Sequence, residues 1–268
     1  MKGFLSHKRL CASVVVPLLV VGFVSVNSTR ADWDPTTPNT KWVQMPDLLY
    51  GMDVLATNPK ILADDFLCTF TGPITDIHIW GSWLNNVGVG SITNLHVSFH
   101  TDIPDPDGTG PLWSMPGELL WQTNFLAGQF AERFWTNASE VFYDPNINQI
   151  IGTDTEVWQY NMFIDPDKAF VQQAGNIYWL DVSVMTTNGL FGWKTSMQHF
   201  NDDAVFDDLP QEPPFWREMR YPPGHPFQGQ SIDLAFALTT IPEPATFVLV
   251  GFGLLGLRLL ARRRRVGQ

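Results

Sequence analysis

The sequence predicts an all-β fold, an antiparallel β-sandwich of jelly-roll-like type, between an N-terminal signal helix and a C-terminal transmembrane helix. Short apolar or alternating runs recur along the chain, rich in Val, Ile, Phe, Trp and Thr and separated by turn residues. Between the termini, no window longer than about ten residues shows the 3.6-residue period of a capped helix. The composition, 44% hydrophobic and 16% charged over 268 residues, is that of a globular chain.

The N-terminus has the pattern of a secretory signal peptide. Basic residues at Lys2, Lys8 and Arg9 precede an apolar run over residues 10–26, and small residues follow up to Ala31. We therefore predict a signal peptide at residues 1–31, with the Sec translocon and signal peptidase as partners. Its removal would leave Cys68 as the one cysteine of the mature chain, so no intramolecular disulfide is expected.

Residues 32–241 are predicted to form one extracytoplasmic β-sandwich domain. Residues 32–47 show little periodicity and are predicted to be mostly irregular. In one later run Leu95, Val97 and Phe99 should face inward and the residues between them outward. The predicted strands fall in the runs 61–70, 74–83, 92–101, 118–125, 129–135, 157–164, 177–186, 190–195 and 231–239.

The charge of the chain is unevenly distributed. Residues 32–257 contain seven Lys or Arg and all 27 Asp or Glu, a formal charge of −20, whereas the remaining basic residues lie near the two ends. A body this acidic repels phosphate backbones, which excludes nucleic acid as an expected partner.

Paired carboxylates form one candidate metal site. Asp64 with Asp65, and Asp202 with Asp203, could supply the oxygen ligands that calcium prefers. The alternative is that these are solvated turn aspartates that cap their own backbone. No other cofactor is expected.

Eleven tryptophans are many for this length. Exposed indoles on a β-sandwich stack on sugar rings, and we select Trp113, Trp135, Trp158 and Trp216 for this role; the alternative is that the tryptophans fill a wide core. The sequence contains neither a G-x-S-x-G nor an H-E-x-x-H motif, so a hydrolase has no recognisable catalytic signature.

The C-terminus combines three features in order: Pro242-Glu243-Pro244, an apolar stretch, and the basic run Arg262, Arg263, Arg264 and Arg265. This arrangement resembles the PEP-CTERM sorting signal of exported bacterial proteins. The resemblance implies recognition by the membrane protease-transferase exosortase. We assign residues 242–268 to this signal. Residues 245–261 have nearly the length to cross the inner membrane as a helix, with the arginines on the cytoplasmic side.

The body is also similar to exported domains of unknown role that carry the same tail. The similarity implies a fold and a location but no activity. It rests on the segments 62–68, 77–83, 116–121, 192–195, 201–205 and 233–236.

Together these observations predict an exported surface or extracellular-matrix protein with a structural or adhesive role. Before processing it would be anchored in the inner membrane, and afterwards it would lie at the cell surface or in the matrix. The alternative is a carbohydrate-binding module for extracellular polysaccharide, and a glycan hydrolase is third.

Overall fold

The computed structural model describes residues 32–105, 113–208 and 215–240. This part of the chain is all-β, as predicted, with two short 3₁₀ helices at Leu84–Asn86 and Pro166–Lys168. None of the helices described there has the length and hydrophobicity needed to cross a membrane. The predicted signal helix at 1–31 and the predicted transmembrane helix at 245–261 lie outside the described residues.

The first sheet has eight strands, in the spatial order β1-β16-β5-β9-β8-β2-β12-β15. Its strands are β1 (Thr40–Gln44), β2 (Met52–Leu55), β5 (Asp76–Trp83), β8 (Phe130–Asp144), β9 (Gln149–Phe163), β12 (Phe191–Ser196), β15 (Asp233–Leu234) and β16 (Phe236–Thr239).

The second sheet has six strands, in the order β14-β13-β3-β11-β6-β7. They are β3 (Ile61–Leu67), β6 (Ile92–Ile103), β7 (Met115–Leu126), β11 (Ile177–Thr186), β13 (Val205–Asp207) and β14 (Arg217–Glu218). A separate two-stranded sheet pairs β4 (Gly72–Ile74) with β10 (Phe170–Gln172).

The two large sheets share one hydrophobic core, which is consistent with the predicted β-sandwich. Phe66 of the second sheet lies edge-on to Phe236 of the first, with ring centroids 6.1 Å apart. Leu95, Val97 and Phe99 are fully buried in this core, which confirms their predicted inward orientation. The opposite face of their strand is partly covered, because Ser98 is buried as well. The jelly-roll connectivity stays a prediction.

Residues 32–47, predicted to be mostly irregular, contain one strand, because β1 occupies Thr40–Gln44 and pairs with β16. The long polar side chains of Lys41 and Gln44 interrupt the apolar pattern of this strand in the sequence. Each of them has a hydrogen-bond partner within the protein. The Lys41 Nζ donates to the Phe70 carbonyl at 3.0 Å, and the Gln44 Nε2 donates to Asp64 Oδ2 at 2.9 Å. Tertiary contacts therefore bury residues that give no apolar alternation in the sequence.

Five strands of the first sheet form a closed circuit. Strand β5 pairs with β9, β9 with β8, β8 with β2, β2 with β12, and the end of β5 pairs with β12 again. The β2–β8 pairing is parallel, whereas the other named strand pairings of the described residues are antiparallel. The closure brings side chains from all five strands towards one another.

Two glycines permit this closure. A Cβ on Gly81 would lie 2.5 Å from the Gly192 carbonyl oxygen, and a Cβ on Gly192 would lie 2.8 Å from Asp53 Cβ. Real Cβ atoms do not approach other heavy atoms so closely. Any side chain at these positions would therefore push β5, β12 and β2 apart.

We expect Gly81→Ala to lower the free energy of unfolding by about 1–3 kcal/mol, because the clashing carbonyl belongs to the backbone of β12 and cannot turn away. Gly152→Ala is the matched control: its Cβ would meet the flexible end of Leu84, with Cδ1 at 2.5 Å. Urea unfolding of both variants measures the difference. An equal cost for the two substitutions would contradict the role of Gly81 in the closure.

Candidate functional site

One polar side chain from each strand of the five-strand circuit enters a common cluster. We call these residues the charge cluster: Asp53 of β2, Ser82 of β5, Glu140 of β8, Asp154 of β9 and Lys194 of β12. None is more than 5% exposed. One oxygen of each of the three carboxyl groups lies within 4.8 Å of the others. At this degree of burial, a charged group is stable only if a neighbouring group compensates its charge.

Lys194 is the cationic member. It lies directly opposite Asp53 in the register of β12 and β2, and its Nζ is 3.4 Å from Asp53 Oδ2. The same Nζ contacts Glu140 Oε2. Burial lowers the pKa of Lys194, while the negative charge of Asp53 opposes this shift. The lysine is thus held between two carboxyl groups.

Three carboxyl groups face this single ammonium group. Burial raises the pKa of Asp53, and burial together with the nearby Asp53 raises the pKa of Asp154 to about 9. Asp53 Oδ1 and both oxygens of Asp154 have no hydrogen-bond partner. The Ser82 hydroxyl is near enough to lower the pKa of both aspartates, yet it makes no hydrogen bond of ordinary geometry. Asp154 therefore keeps its proton at neutral pH.

This arrangement suits proton transfer and chemistry between an amine and a carboxyl group. Its oxygen atoms are also of the type that binds hard divalent cations. A cation bound by all three carboxyl groups would compete with the Lys194 ammonium group, which already contacts Asp53 and Glu140.

The charge cluster is not visible as a motif in the sequence. Its carboxylates lie on separate strands, so no local spacing connects Asp53, Glu140 and Asp154. Two signals were present: Asp53 follows Met52 within a short apolar run, and Lys194 follows Trp193 within the predicted strand 190–195. A charged residue inside a buried strand needs a partner, and this requirement pointed to a paired interior site.

The residues predicted to bind calcium lie elsewhere, beginning with a pair on β3. Asp64 Oδ2 accepts hydrogen bonds from the Leu234 backbone N–H at 2.6 Å and from Gln44. Asp65 Oδ2 accepts one from Asn201 Nδ2 at 2.6 Å. Protein donors therefore occupy at least one oxygen of each carboxyl group.

Protein groups also contact Asp202 and Asp203, the second pair predicted to bind calcium. Asp202 Oδ2 accepts a hydrogen bond from the Ser114 backbone N–H at 2.5 Å, and Asp203 Oδ2 is 2.8 Å from Arg220 Nη2. Asp65 and Asp202 lie close enough for the charge of Asp202 to raise the pKa of Asp65. Calcium at these four residues stays a prediction.

None of the eleven tryptophans is exposed, although all lie within the described residues. Of the four selected for glycan stacking, Trp216 is buried beside Trp179, and Trp113, Trp135 and Trp158 are half-buried. The structure does not bring these four together as one surface cluster of exposed rings. The sorting-motif residues, Pro242 to Pro244 and Arg262 to Arg265, lie outside the described residues.

Asp65 gives a pH dependence that can be measured. Burial raises its pKa from 3.8 to about 8, so the folded protein holds a proton that the unfolded chain releases above about pH 4. The contribution of Asp65 to stability is complete below pH 4 and is lost as the pH rises towards 8.

The unfolding free energy of the wild type should fall between pH 5 and pH 8. We expect Asp65→Asn to reduce the slope of this fall by about 1 kcal/mol per pH unit, because Asn cannot ionise. Urea unfolding across this range measures the slope. Asp167→Asn, at an exposed aspartate, is the control. Parallel curves for wild type and Asp65→Asn would refute the assignment.

A PEP-CTERM protein-sorting motif matches residues 240–265, which confirms the resemblance of the C-terminus. No curated protein and no solved structure matches the chain. The family described as "Domain of unknown function (DUF7901)" matches residues 40–239, and the chain therefore belongs to this family.

Proposed function

We propose that this protein is a structural or adhesive component of the cell surface or extracellular matrix, exported as a β-sandwich and sorted through its PEP-CTERM tail. The observation that supports this proposal is the adjacency of body and tail. The last strand ends at Thr239, and the sorting motif begins at residue 240. The motif indicates export, a membrane-anchored intermediate and processing by exosortase.

The remaining steps of the route belong to the same proposal. The signal peptide at 1–31 directs the chain to the Sec translocon and is removed by signal peptidase. Residues 32–241 form the exported domain. Residues 245–261 hold the intermediate in the inner membrane until exosortase acts within the tail at 242–268.

A structural role is favoured over an enzymatic one by where the reactive groups lie. The members of the charge cluster are at most 5% exposed, so a dissolved glycan has no direct access to its carboxyl groups. Glycoside hydrolysis needs two carboxyl groups that flank a bound sugar. The charge cluster is therefore better explained as a stabilising element of the interior than as the active site of a hydrolase.

Replacement of Pro242, Glu243 and Pro244 by alanine tests the sorting proposal. We expect the unprocessed chain to accumulate in the inner membrane, because exosortase no longer recognises the tail. Fractionation and mass analysis of the wild type and the variant follow the processing. The same comparison in cells without exosortase is the control, where the two chains should behave alike. Normal processing of the variant in exosortase-positive cells would contradict the proposal.

Carbohydrate binding is the second candidate, favoured by one aromatic pair on the first sheet. Phe134 of β8 is 45% exposed, and its ring centroid lies 5.6 Å from that of Trp158 on β9. The Trp158 Nε1 donates to Glu156 Oε2 at 3.3 Å. An exposed ring beside a carboxylate can stack on a sugar and accept hydrogen bonds from its hydroxyl groups.

A glycan array of the processed protein tests this candidate. We expect Phe134→Ala to weaken binding of any retained polysaccharide about tenfold, because the stacking face is lost. Phe215→Ala removes another exposed aromatic ring and is the control. A blank array, or equal binding by both variants, would leave no role for the Phe134–Trp158 pair.

A further inference from the structure

We propose that Lys194 and Asp53 become joined by an intramolecular amide bond between Lys194 Nζ and Asp53 Cγ, which cross-links strands β12 and β2. The two residues face each other directly in the strand register, and Nζ lies 3.4 Å from Asp53 Oδ2. Both side chains are completely buried. The fold therefore holds an amine and a carboxyl group in contact, with the entropy of their encounter already lost on folding.

A second carboxyl group is placed to take up the proton of the amine. Glu140 Oε2 contacts Lys194 Nζ from the neighbouring strand β8. An ammonium group has no free electron pair, so it must lose a proton before it can attack carbon. Glu140 is the group that accepts this proton.

A third carboxyl group is placed to assist the leaving oxygen. Asp154 is buried close to Asp53, and neither of its oxygens has a hydrogen-bond partner. Its raised pKa, about 9, keeps it protonated at neutral pH. Asp154 can thus donate a proton to the Asp53 oxygen that departs.

The reaction is a condensation that needs no oxidant or cofactor. The Nζ–Cγ bond forms, one Cγ–Oδ bond of Asp53 breaks, and the oxygen leaves as water. Glu140 takes up the two protons that Nζ loses, one after the other, and the third stays on the amide nitrogen. The departing oxygen receives one proton from Asp154 and one from Glu140, and Glu140 returns the other proton to Asp154, so both carboxyl groups end as they began. The ammonium and the carboxylate together become one neutral amide and one water molecule.

The environment favours the reactive forms of both partners. Burial lowers the pKa of Lys194 and raises the pKa of Asp53, so a neutral amine and a neutral acid are accessible together. Exclusion of bulk water also slows hydrolysis of the product. The amide removes one buried positive and one buried negative charge, which reduces the desolvation cost of the cluster.

The cross-link would replace a stabilising element that this chain lacks. Cys68 is the one cysteine outside the predicted signal peptide, so a mature chain cannot form an internal disulfide. Asp53 and Lys194 are 141 positions apart in the sequence, so their bond would close a long loop of the unfolded chain. Long loops gain most from a covalent link in the chain-entropy description. The inference stands on these residues and does not depend on the proposed adhesive role.

Peptide mapping of the full chain, purified from the membranes of exporting cells, tests the proposal. Trypsin does not cleave after an amidated lysine, so we expect one branched peptide that joins residues 42–60 to residues 169–217. Its mass should be that of the two segments less one water. Cleavage after Lys194 with recovery of the separate peptides would overturn the proposal, as would a branch between Lys194 and Glu140.

Three variants refine the test. Glu140→Gln preserves the shape of the side chain but removes the proton acceptor, and we expect the branched peptide to be lost. Asp53→Asn should still form the link by release of ammonia, giving a branched peptide of the same mass as wild type. Lys168→Met, at an exposed lysine, is the control and should remain linked; because the variant loses the tryptic site at 168, its branched peptide joins residues 42–60 to residues 134–217. A branched peptide in full yield from Glu140→Gln would overturn the mechanism.

Discussion

The burial of the Lys194 ammonium group is the constraint around which the first sheet is arranged. A lysine with no exposed surface needs opposite charges at contact distance, and two strands supply them: Asp53 from β2 and Glu140 from β8. Removal of one partner from a buried ion pair costs about 3–5 kcal/mol, because the other charge is left uncompensated. Strand β2 lies between β12 and β8 and is parallel to β8. This strand order brings Asp53 and Glu140 to the buried charge of Lys194.

Strand β12 shows how the constraint is combined with a hydrophobic core. Phe191 and Trp193 belong to the core shared by the two sheets, whereas Gly192 and Lys194 alternate with them and face Asp53. On the core side, the Trp83 Nε1 donates to the Tyr160 hydroxyl at 2.9 Å, beside Phe191. One strand thus carries aromatic packing on one face and charge pairing on the other, and its glycine makes room for the approach of β2.

The sequence was sufficient for the fold class because the strands of the core follow the period of two. The run 177–186 matches β11 at both ends, and the alternation around Val97 gives the correct inward face.

The sequence was insufficient where contacts between residues distant in the chain determine the structure. Strand β2 is only four residues long, and Asp53 within it interrupts the apolar pattern, although every residue of the strand is buried. The charge cluster was missed for the same reason, since its five members come together only after five strands pair. The carboxyl pairs that are adjacent in sequence, such as Asp64 and Asp65, can be recognised without the fold, whereas the carboxyl groups of the charge cluster cannot.

The position of the last strand connects the fold to the sorting tail. Strand β16 lies between β1 and β5, with Thr239 opposite Thr40 on one side and Asp76 on the other. The chain therefore leaves the folded body from a strand that is hydrogen-bonded along both edges, one residue before the PEP-CTERM match begins. Because β16 is fixed by two neighbours, cleavage or transfer within the tail can proceed without loss of the pairing that completes the first sheet. A sorting signal attached at this point can be removed while the body keeps its fold, which is the physical requirement for a protein that functions after its anchor is processed.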